Sequence, residues 1–114
     1  MSLNEEVELL RAIPLFAGIE PSKLKLLAFA SERLTYAAND ELFHQRDPGD
    51  AAFVLIDGEV DILIDTAYGM KPVVRLGRNS LIGEIAILCD LPRTATVRAV
   101  TAVTTLRISK DLFF

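Results

Sequence analysis

Residues 83–97 read Gly83-Glu84-Ile85-Ala86-Ile87-Leu88-Cys89-Asp90-Leu91-Pro92-Arg93-Thr94-Ala95-Thr96-Val97 and set an acid, an arginine and a threonine at fixed offsets in an apolar segment. Gly83 allows the backbone to adopt a left-handed turn or to approach a ligand closely. Residues 84–88 are long enough for about one and a half helical turns. A short helix that begins directly after a glycine offers free N–H groups and a positive dipole end, which together favour an anion.

Arg93 and Glu84 indicate which ligand would suit this segment. Arg93 supplies a planar fork of donors for a phosphate or a carboxylate, and the neighbouring Thr94 adds a hydroxyl. The Glu84 carboxylate is unsuited to a phosphate and suits a pair of donors, such as sugar hydroxyls. Taken in isolation, Glu84 and Arg93 would equally fit a plain surface ion pair, which contributes ~0–1 kcal/mol.

The segment resembles the phosphate-binding cassette of the cyclic nucleotide-binding domain family, which includes transcription factors, kinase regulatory subunits and nucleotide-gated channels. The family pattern runs roughly F/I-G-E-x-A-L-L-x-x-x-P-R-x-A-T/S-V. This chain reads Ile82-Gly83-Glu84-Ile85-Ala86-Ile87-Leu88, then three residues, then Pro92-Arg93-Thr94-Ala95-Thr96-Val97. The resemblance extends over about residues 13 to 114 and implies a nucleotide-binding function without catalysis.

The resemblance assigns a role to each part of the candidate site. Arg93 would pair bidentately with the cyclic phosphate, assisted by nearby backbone N–H groups, and Glu84 would accept from the ribose 2′-hydroxyl. Thr94 would favour or tolerate cyclic GMP, although an ordinary strand threonine is the alternative. Strand aliphatics would contact the base and sugar, or else belong purely to the core. The full candidate set is Gly83, Glu84, Ile85, Ala86, Arg93, Thr94, Ala95, Ile62, Val73 and Val74.

Composition sets limits on the function. A chain of 114 residues is one domain with its own core. The net charge of −4 and the pI near 4.9 argue against nucleic-acid binding by this chain. Cys89 is the single cysteine, so an internal disulfide is excluded. The chain has no apolar run of ~18 residues and no basic signal at its start. We therefore expect a cytoplasmic protein that does not bind a membrane.

Two helices are predicted before the strands begin. Ser2 or Asn4 can cap a first helix that ends before Pro14. Pro21 begins a second helix, whose apolar residues repeat at helical spacing through about Arg33. We therefore assign 1–34 to an N-terminal helical segment.

From residue 35 to 109 the pattern is typical of a β jelly-roll. Short apolar runs alternate with turn residues, and the predicted strands are Glu41 to His44, Ala52 to Ile56, Glu59 to Asp65, Lys71 to Leu76, Ala95 to Val100 and Val103 to Ile108. Asp47-Pro48-Gly49-Asp50 predicts a type II turn. Asp57-Gly58 predicts a hairpin, and Tyr68-Gly69 separates the next pair of strands.

The turns also resemble those of the family, with three departures. Asn39, Arg46 and Asn79 occupy positions where the family usually has glycine. Asparagine tolerates the left-handed region, whereas Arg46 implies either a strained turn, costing about 1 kcal/mol, or a different turn.

Catalytic and metal sites find little support in the sequence. His44 is the only histidine, so the His and carboxylate cluster of a cupin-type metal centre is absent. No motif places His44 beside a nucleophile, and Cys89 fits a small buried hydrophobe better than a nucleophile. We therefore expect no enzyme activity and no metal.

The expected fold is mainly β, a double-stranded β-helix or jelly-roll barrel with N-terminal helices and a short phosphate-binding helix. The expected function is binding of a cyclic nucleotide, with cAMP favoured over cGMP, as a regulatory sensor whose effector is unknown. Two alternatives stay open: a protein-interaction module that does not bind nucleotide, and the sensor half of a transcription factor without its DNA-binding domain.

Residues 110–114 are expected to begin a C-terminal helix. In the family this point is followed by a hinge helix and a lid helix over the base. The lid is not within these residues, so we expect weak base selectivity and reduced affinity. In relatives a homodimer usually forms through the C-terminal helix, and the resemblance therefore leaves a homodimer of this chain open.

Overall fold

Two four-stranded antiparallel sheets and a pair of N-terminal helices make up the computed structural model, which describes residues 2–113. The strands are β1 (Glu32–Tyr36), β2 (Glu41–Phe43), β3 (Ala51–Asp57), β4 (Val60–Thr66), β5 (Gly69–Leu76), β6 (Leu81–Ile82), β7 (Thr96–Ala99) and β8 (Val103–Ser109). Their order is β1-β8-β3-β6 in one sheet and β2-β7-β4-β5 in the other. The mainly β prediction is confirmed.

Helix α1 (Leu3–Arg11) is capped by Ser2, one of the two predicted caps. The Glu5 N–H donates to Ser2 Oγ over 3.2 Å, and the Glu5 carboxylate accepts from the Ser2 N–H over 3.4 Å. This reciprocal pair is a capping box, which satisfies two of the free N–H groups at the helix start. A 3₁₀ turn, Pro14–Phe16, then leads to helix α2 (Pro21–Ala30).

The prediction that the second helix runs to about Arg33 is wrong. The Ser31 hydroxyl donates to the Leu27 carbonyl over 2.6 Å, and Ser31 already has an extended backbone, with φ −83° and ψ 152°. Strand β1 follows and pairs with β8, so that Glu32 lies opposite Arg107. The sequence pattern missed β1 because its short alternation continues the helical spacing that precedes it.

All six predicted strands are present. Besides β1, the sequence also failed to predict β6. It has only two residues, which pair with Phe53 and Val54 of β3. Helix α3 (Glu84–Leu88) follows β6 as predicted. At the C-terminus a 3₁₀ turn, Lys110–Phe113, occupies the start of the expected helix, and Phe114 lies outside the described residues.

Two turn predictions are corrected. Gly58 has the predicted positive φ, 92°, yet β3 and β4 lie in different sheets, so the turn is a crossover and not a hairpin. Gly49 does not have a positive φ, which a type II turn would require. The left-handed residue of this loop is Arg46, with φ 78°, and the Asp47 N–H donates to the His44 carbonyl over 3.1 Å.

Strand β3 divides the core into two layers because its side chains alternate. Val54 and Ile56 pack with the helices, whereas Phe53 and Leu55 pack with residues of the opposite sheet. The candidate site therefore lies beside the second layer, away from α1 and α2. Among the described helices, none has the length and apolar character needed to cross a membrane.

Candidate ligand-binding site

A cleft of about 170 Å³ opens between α3 and the β2-β7-β4-β5 sheet. Eight of the ten candidate residues contribute to its walls, together with five that the sequence analysis did not select. The candidates are Ile62, Gly83, Glu84, Ile85, Ala86, Arg93, Thr94 and Ala95, and the others are Phe43, Leu76, Leu81, Ile82 and Val97.

Gly83, the N-cap residue of α3, is required to be glycine for two reasons. Its φ is 85°, in the left-handed region that favours glycine. A Cβ at this position would lie 2.5 Å from Arg93 Nη1 and 3.3 Å from Phe43 Cε2. The helix that follows leaves the N–H groups of its first residues without partners inside the helix. The predicted combination of a glycine and free N–H groups is therefore present beside the arginine.

Arg93 is buried, with 4% of its surface exposed, and its guanidinium is fixed by backbone carbonyls. Nη1 donates to the Gly83 carbonyl over 3.0 Å, and Nη2 donates to the Ala51 carbonyl over 2.6 Å. Nη2 also lies 3.9 Å from the Asp50 carboxylate. Arg93 and Glu84 do not form the surface ion pair that was the alternative interpretation.

The Phe43 ring covers one face of this guanidinium. The Arg93 Cζ lies 4.0 Å from the centroid of the Phe43 ring and 6.0 Å from that of Phe53. Burial lowers the pKa of Arg93, while the Asp50 carboxylate acts in the opposite direction. Nε is buried and has no hydrogen-bond partner. Because an unpaired buried donor is costly, this guanidinium would be stabilised by an added acceptor.

The loop around Arg46 holds the backbone of Arg93. The Arg46 N–H donates to the Arg93 carbonyl, and the Arg93 N–H donates to the Asp47 carbonyl, both over 2.8 Å. Further along the same loop, a Cβ on Gly49 would collide with Ala86 Cβ of α3. The left-handed turn at Arg46 therefore belongs to the support of the site, and close packing explains Gly49.

Glu84 and Thr94 lie in the cleft wall without internal partners of their own. Glu84 is half-buried, and its carboxylate forms no hydrogen bond or ion pair with another described residue. Thr94 is exposed. Both side chains are therefore free to contact a bound molecule, which is what their predicted roles require.

Val73 and Val74 are not brought to this cleft. They lie on the edge strand β5 and are 64% and 46% exposed, so they do not belong to the core either. The register shifts here: Ile62 pairs with Val74 and Leu63 with Pro72, which leaves Val73 as the extra residue of a bulge. A bulge changes which side chains face inward, and a single sequence gives no sign of it.

The groups that hold Arg93 come from distant parts of the chain and were not predicted from the sequence. Phe43 is part of a family-like motif, but nothing in the spacing shows that its ring would contact Arg93. The Ala51 carbonyl is a backbone group and leaves no mark in the sequence. No group of three or more His, Cys, Asp or Glu residues among residues 2–113 is arranged to hold a metal. Cys89, expected to be buried, is exposed.

Comparison with known proteins shows the family to which the chain belongs. The profile of the cyclic nucleotide-binding domain family matches residues 33–114. A cAMP-dependent protein kinase regulatory subunit of Emericella nidulans is 32% identical over 104 residues, which cover 91% of this chain and 25% of that protein. The chain thus spans about a quarter of the length of such curated relatives.

Two solved structures share the fold. The N-terminal domain of a transcriptional regulator from Streptomyces coelicolor is 35% identical with a TM-score of 0.83, covering 91% of this chain and 75% of that one. The regulatory domain of Toxoplasma gondii PKA, solved with cAMP, has a TM-score of 0.94 at 24% identity, covering 97% of this chain and 42% of that one. The resemblance that the sequence suggested is confirmed, and this chain belongs to the cyclic nucleotide-binding domain family.

Proposed function

We propose that this chain binds a cyclic nucleotide monophosphate in the cleft between α3 and the sheet, and that it acts as a regulatory sensor. The observation that carries the proposal is the state of Arg93. A guanidinium that is 4% exposed, has an unpaired Nε and borders a cleft is poised for an anionic acceptor.

The phosphate would be held by Arg93 and by backbone N–H groups. Nη1 and Nη2 each donate to one carbonyl, which leaves part of the guanidinium donor set free. The N–H groups of Ile85 and Ala86, at the start of α3, and those of Thr94 and Ala95 would add neutral donors. An anion at this position also meets the positive end of the helix dipole.

Glu84 would select for a sugar. Its carboxylate lines the same cleft and has no donor among the other described residues. A carboxylate accepts two hydrogen bonds readily, so a ribose hydroxyl would satisfy it. Ile62 would contact the base or sugar from β4, since of the three candidates Ile62, Val73 and Val74 it alone lies in the cleft wall.

Cyclic AMP is the first candidate ligand, and cyclic GMP is the second. The Emericella nidulans relative is named as a cAMP-dependent regulatory subunit, and the Toxoplasma gondii domain was solved with cAMP. Thr94 could donate or accept one neutral hydrogen bond with the base, worth ~1 kcal/mol. That energy corresponds to about a fivefold preference, so the selectivity of the cleft is expected to be modest.

The regulatory step would use the cassette as the moving part. A phosphate that engages Arg93 would draw α3 and the Arg46 loop toward a single arrangement, since Gly83, directly before α3, and the Arg46 loop both hydrogen-bond to this residue. The ligand can shift such an equilibrium only through its different affinity for the two states.

Calorimetric titration of the chain with cAMP and with cGMP tests the proposal. Arg93→Ala should weaken binding at least ~30-fold, as expected for truncation of one partner of a buried charge pair. That variant also loses two structural hydrogen bonds, so its fold must be checked by circular dichroism. Glu84→Ala is the cleaner variant because Glu84 has no internal partner, and it should weaken binding at unchanged stability.

Arg75→Ala, on the edge strand, serves as the matched control and should bind like the wild-type chain. Absence of binding heat up to millimolar cAMP and cGMP would overturn the proposal and favour the protein-interaction module. Binding that is insensitive to both Arg93→Ala and Glu84→Ala would place the ligand elsewhere.

A further inference from the structure

Helix α2 carries an apolar surface that nothing in the described chain covers. Leu24 and Ala28 are buried against the core, but Leu26 is 69% exposed and Phe29 is 78% exposed. Leu26 and Phe29 are three positions apart and therefore lie on the same side of the helix. Exposed large side chains grouped on one stripe therefore indicate an interface.

Two cavities lie along α1 and α2 and share Ser22 and Lys25. The apolar cavity, of about 280 Å³, is lined by Leu3, Ser22, Lys25, Leu26 and Phe29. The charged cavity is also lined by Glu8 and Arg11 of α1. We call the surface formed by these seven residues the helical face.

We propose that the helical face is a docking surface for a second copy of this chain, in a two-fold symmetric dimer. A two-fold interface places one patch against itself, so the patch must be self-complementary. The helical face satisfies this requirement because it has an apolar cavity and, beside it, side chains of both signs of charge. In the dimer, Lys25 of one copy approaches Glu8 of the other.

The charges favour a second copy over an anionic lipid surface. Lys23 and Lys25 form no side-chain hydrogen bond or ion pair with other residues between 2 and 113, so both are available. Glu8 is 66% exposed and has only an exposed Arg11 beside it, at 3.5 Å. A negatively charged membrane would be repelled by Glu8, whereas a second copy offers Lys25 to this carboxylate.

The dimer should be weak and independent of nucleotide. Helices of 9 and 10 residues are about 14 and 15 Å long, so the buried area falls at the low end of specific interfaces. We expect dissociation in the micromolar range. The nucleotide cleft adjoins the other core layer, so it stays open in this arrangement.

Sedimentation velocity of the 114-residue chain over a concentration series measures this association directly. Leu26→Glu and Phe29→Glu should each raise the dissociation constant at least tenfold while the melting temperature stays unchanged, because both side chains are exposed. Val73→Glu is the matched control, since Val73 is a similarly exposed aliphatic on the opposite side of the core. It should leave the dimer intact.

Charge exchange separates a specific contact from general stickiness. Lys25→Glu should weaken the dimer, and adding Glu8→Lys to the same chain should restore it, because the symmetric contact is then merely reversed. A chain that stays monomeric at 1 mM would overturn the proposal and assign the face to another protein or to another part of a longer chain. Dimers that ignore Leu26→Glu and Phe29→Glu would overturn it as well. Neither result bears on nucleotide binding.

Discussion

The Phe43 ring lies against the Arg93 guanidinium, with the ring centroid 4.0 Å from the guanidinium carbon. A cation over an aromatic face in a desolvated site gains ~2 kcal/mol. Arg93 thus reaches the cleft already oriented, by the ring on one face and by the Gly83 and Ala51 carbonyls at its edge. A ligand therefore does not have to order this side chain when it binds.

Replacing the ring should weaken nucleotide binding. Phe43→Leu keeps the apolar volume roughly constant but removes the aromatic face, so we expect a loss of roughly threefold to thirtyfold in affinity. Phe43→Tyr retains the face and should bind nearly normally. Calorimetric titration with cAMP measures both variants.

A nitrogen-15 NMR spectrum provides a second readout that does not need a ligand. The Arg93 Nε–H is buried and should give a protected signal in the wild-type chain and in Phe43→Tyr. It should exchange rapidly in Phe43→Leu. An unchanged Nε–H signal in Phe43→Leu would contradict the role of the ring.

The site could be predicted where its residues are neighbours in the chain, and not where they meet through the fold. Gly83, Glu84 and Arg93 come from one segment whose short helix follows from local sequence. The Ala51 carbonyl that holds Arg93 is 42 positions away, and no periodicity reports such a distance. The bulge at Val73 was equally invisible, because strand register depends on the partner strand.

In the turns as well, some features follow from local sequence and others depend on the rest of the fold. Asn39 and Asn79 were expected to tolerate the left-handed region at positions where the family usually has glycine, whereas Arg46 left a strained turn and a different turn open. All three residues are left-handed, with φ values of 76°, 72° and 78° for Asn39, Asn79 and Arg46. The sequence could not show which strands a turn connects, since Asp57-Gly58 has the same local signature whether the two flanking strands pair with each other or lie in different sheets. Local chemistry thus indicated the positive φ at Gly58, whereas long-range packing decides which strands that turn connects.

Gly58 and Gly69 form a matched pair for testing that distinction. Both have positive φ, at 92° and 100°, but a Cβ at Gly58 would collide with the Ala102 carbonyl, whereas Gly69 has nothing within 4 Å. Gly69→Ala should cost about 1–2 kcal/mol of unfolding free energy from backbone strain alone. Gly58→Ala should cost clearly more, because the backbone at Ala102 must also move. Urea denaturation measures both, and equal losses would contradict the crossover packing.

Asp61 and Arg75 predict a pH-dependent contribution to stability. Arg75 Nε and Nη2 donate to the two oxygens of Asp61 over 2.9 and 3.2 Å across β4 and β5. These hydrogen bonds lower the pKa of Asp61. A carboxyl whose folded pKa is depressed stabilises the fold above its unfolded pKa of ~3.9, and this contribution disappears as pH falls through the folded value.

Arg75→Gln should therefore lower the melting temperature at pH 6 and progressively less as pH falls from about 4 toward 2. The effect is modest because the pair is partly exposed. The difference between wild-type and variant melting curves measures it at each pH. Arg78→Gln is the control, and a difference for Arg75→Gln that stays constant down to pH 2 would contradict the assignment.

Arg46 allows the strain of its turn to be measured separately from its side chain. The side chain is 74% exposed and lies 3.6 Å from the Asp65 carboxylate, so the pair contributes ~0–1 kcal/mol. Arg46→Ala removes this pair but keeps a Cβ at φ 78°. Arg46→Gly removes both the pair and the strain.

We expect Arg46→Gly to be more stable than Arg46→Ala by about 1 kcal/mol, since relief of left-handed strain exceeds the entropy that glycine adds to the unfolded chain. Asn79→Gly, compared with the wild-type chain, is the control, and it should change the stability little because asparagine tolerates this region on its own. Urea denaturation measures all three variants. If Arg46→Ala proved as stable as Arg46→Gly, the turn that holds the Arg93 backbone would be unstrained, and the arginine at a glycine position would need another explanation.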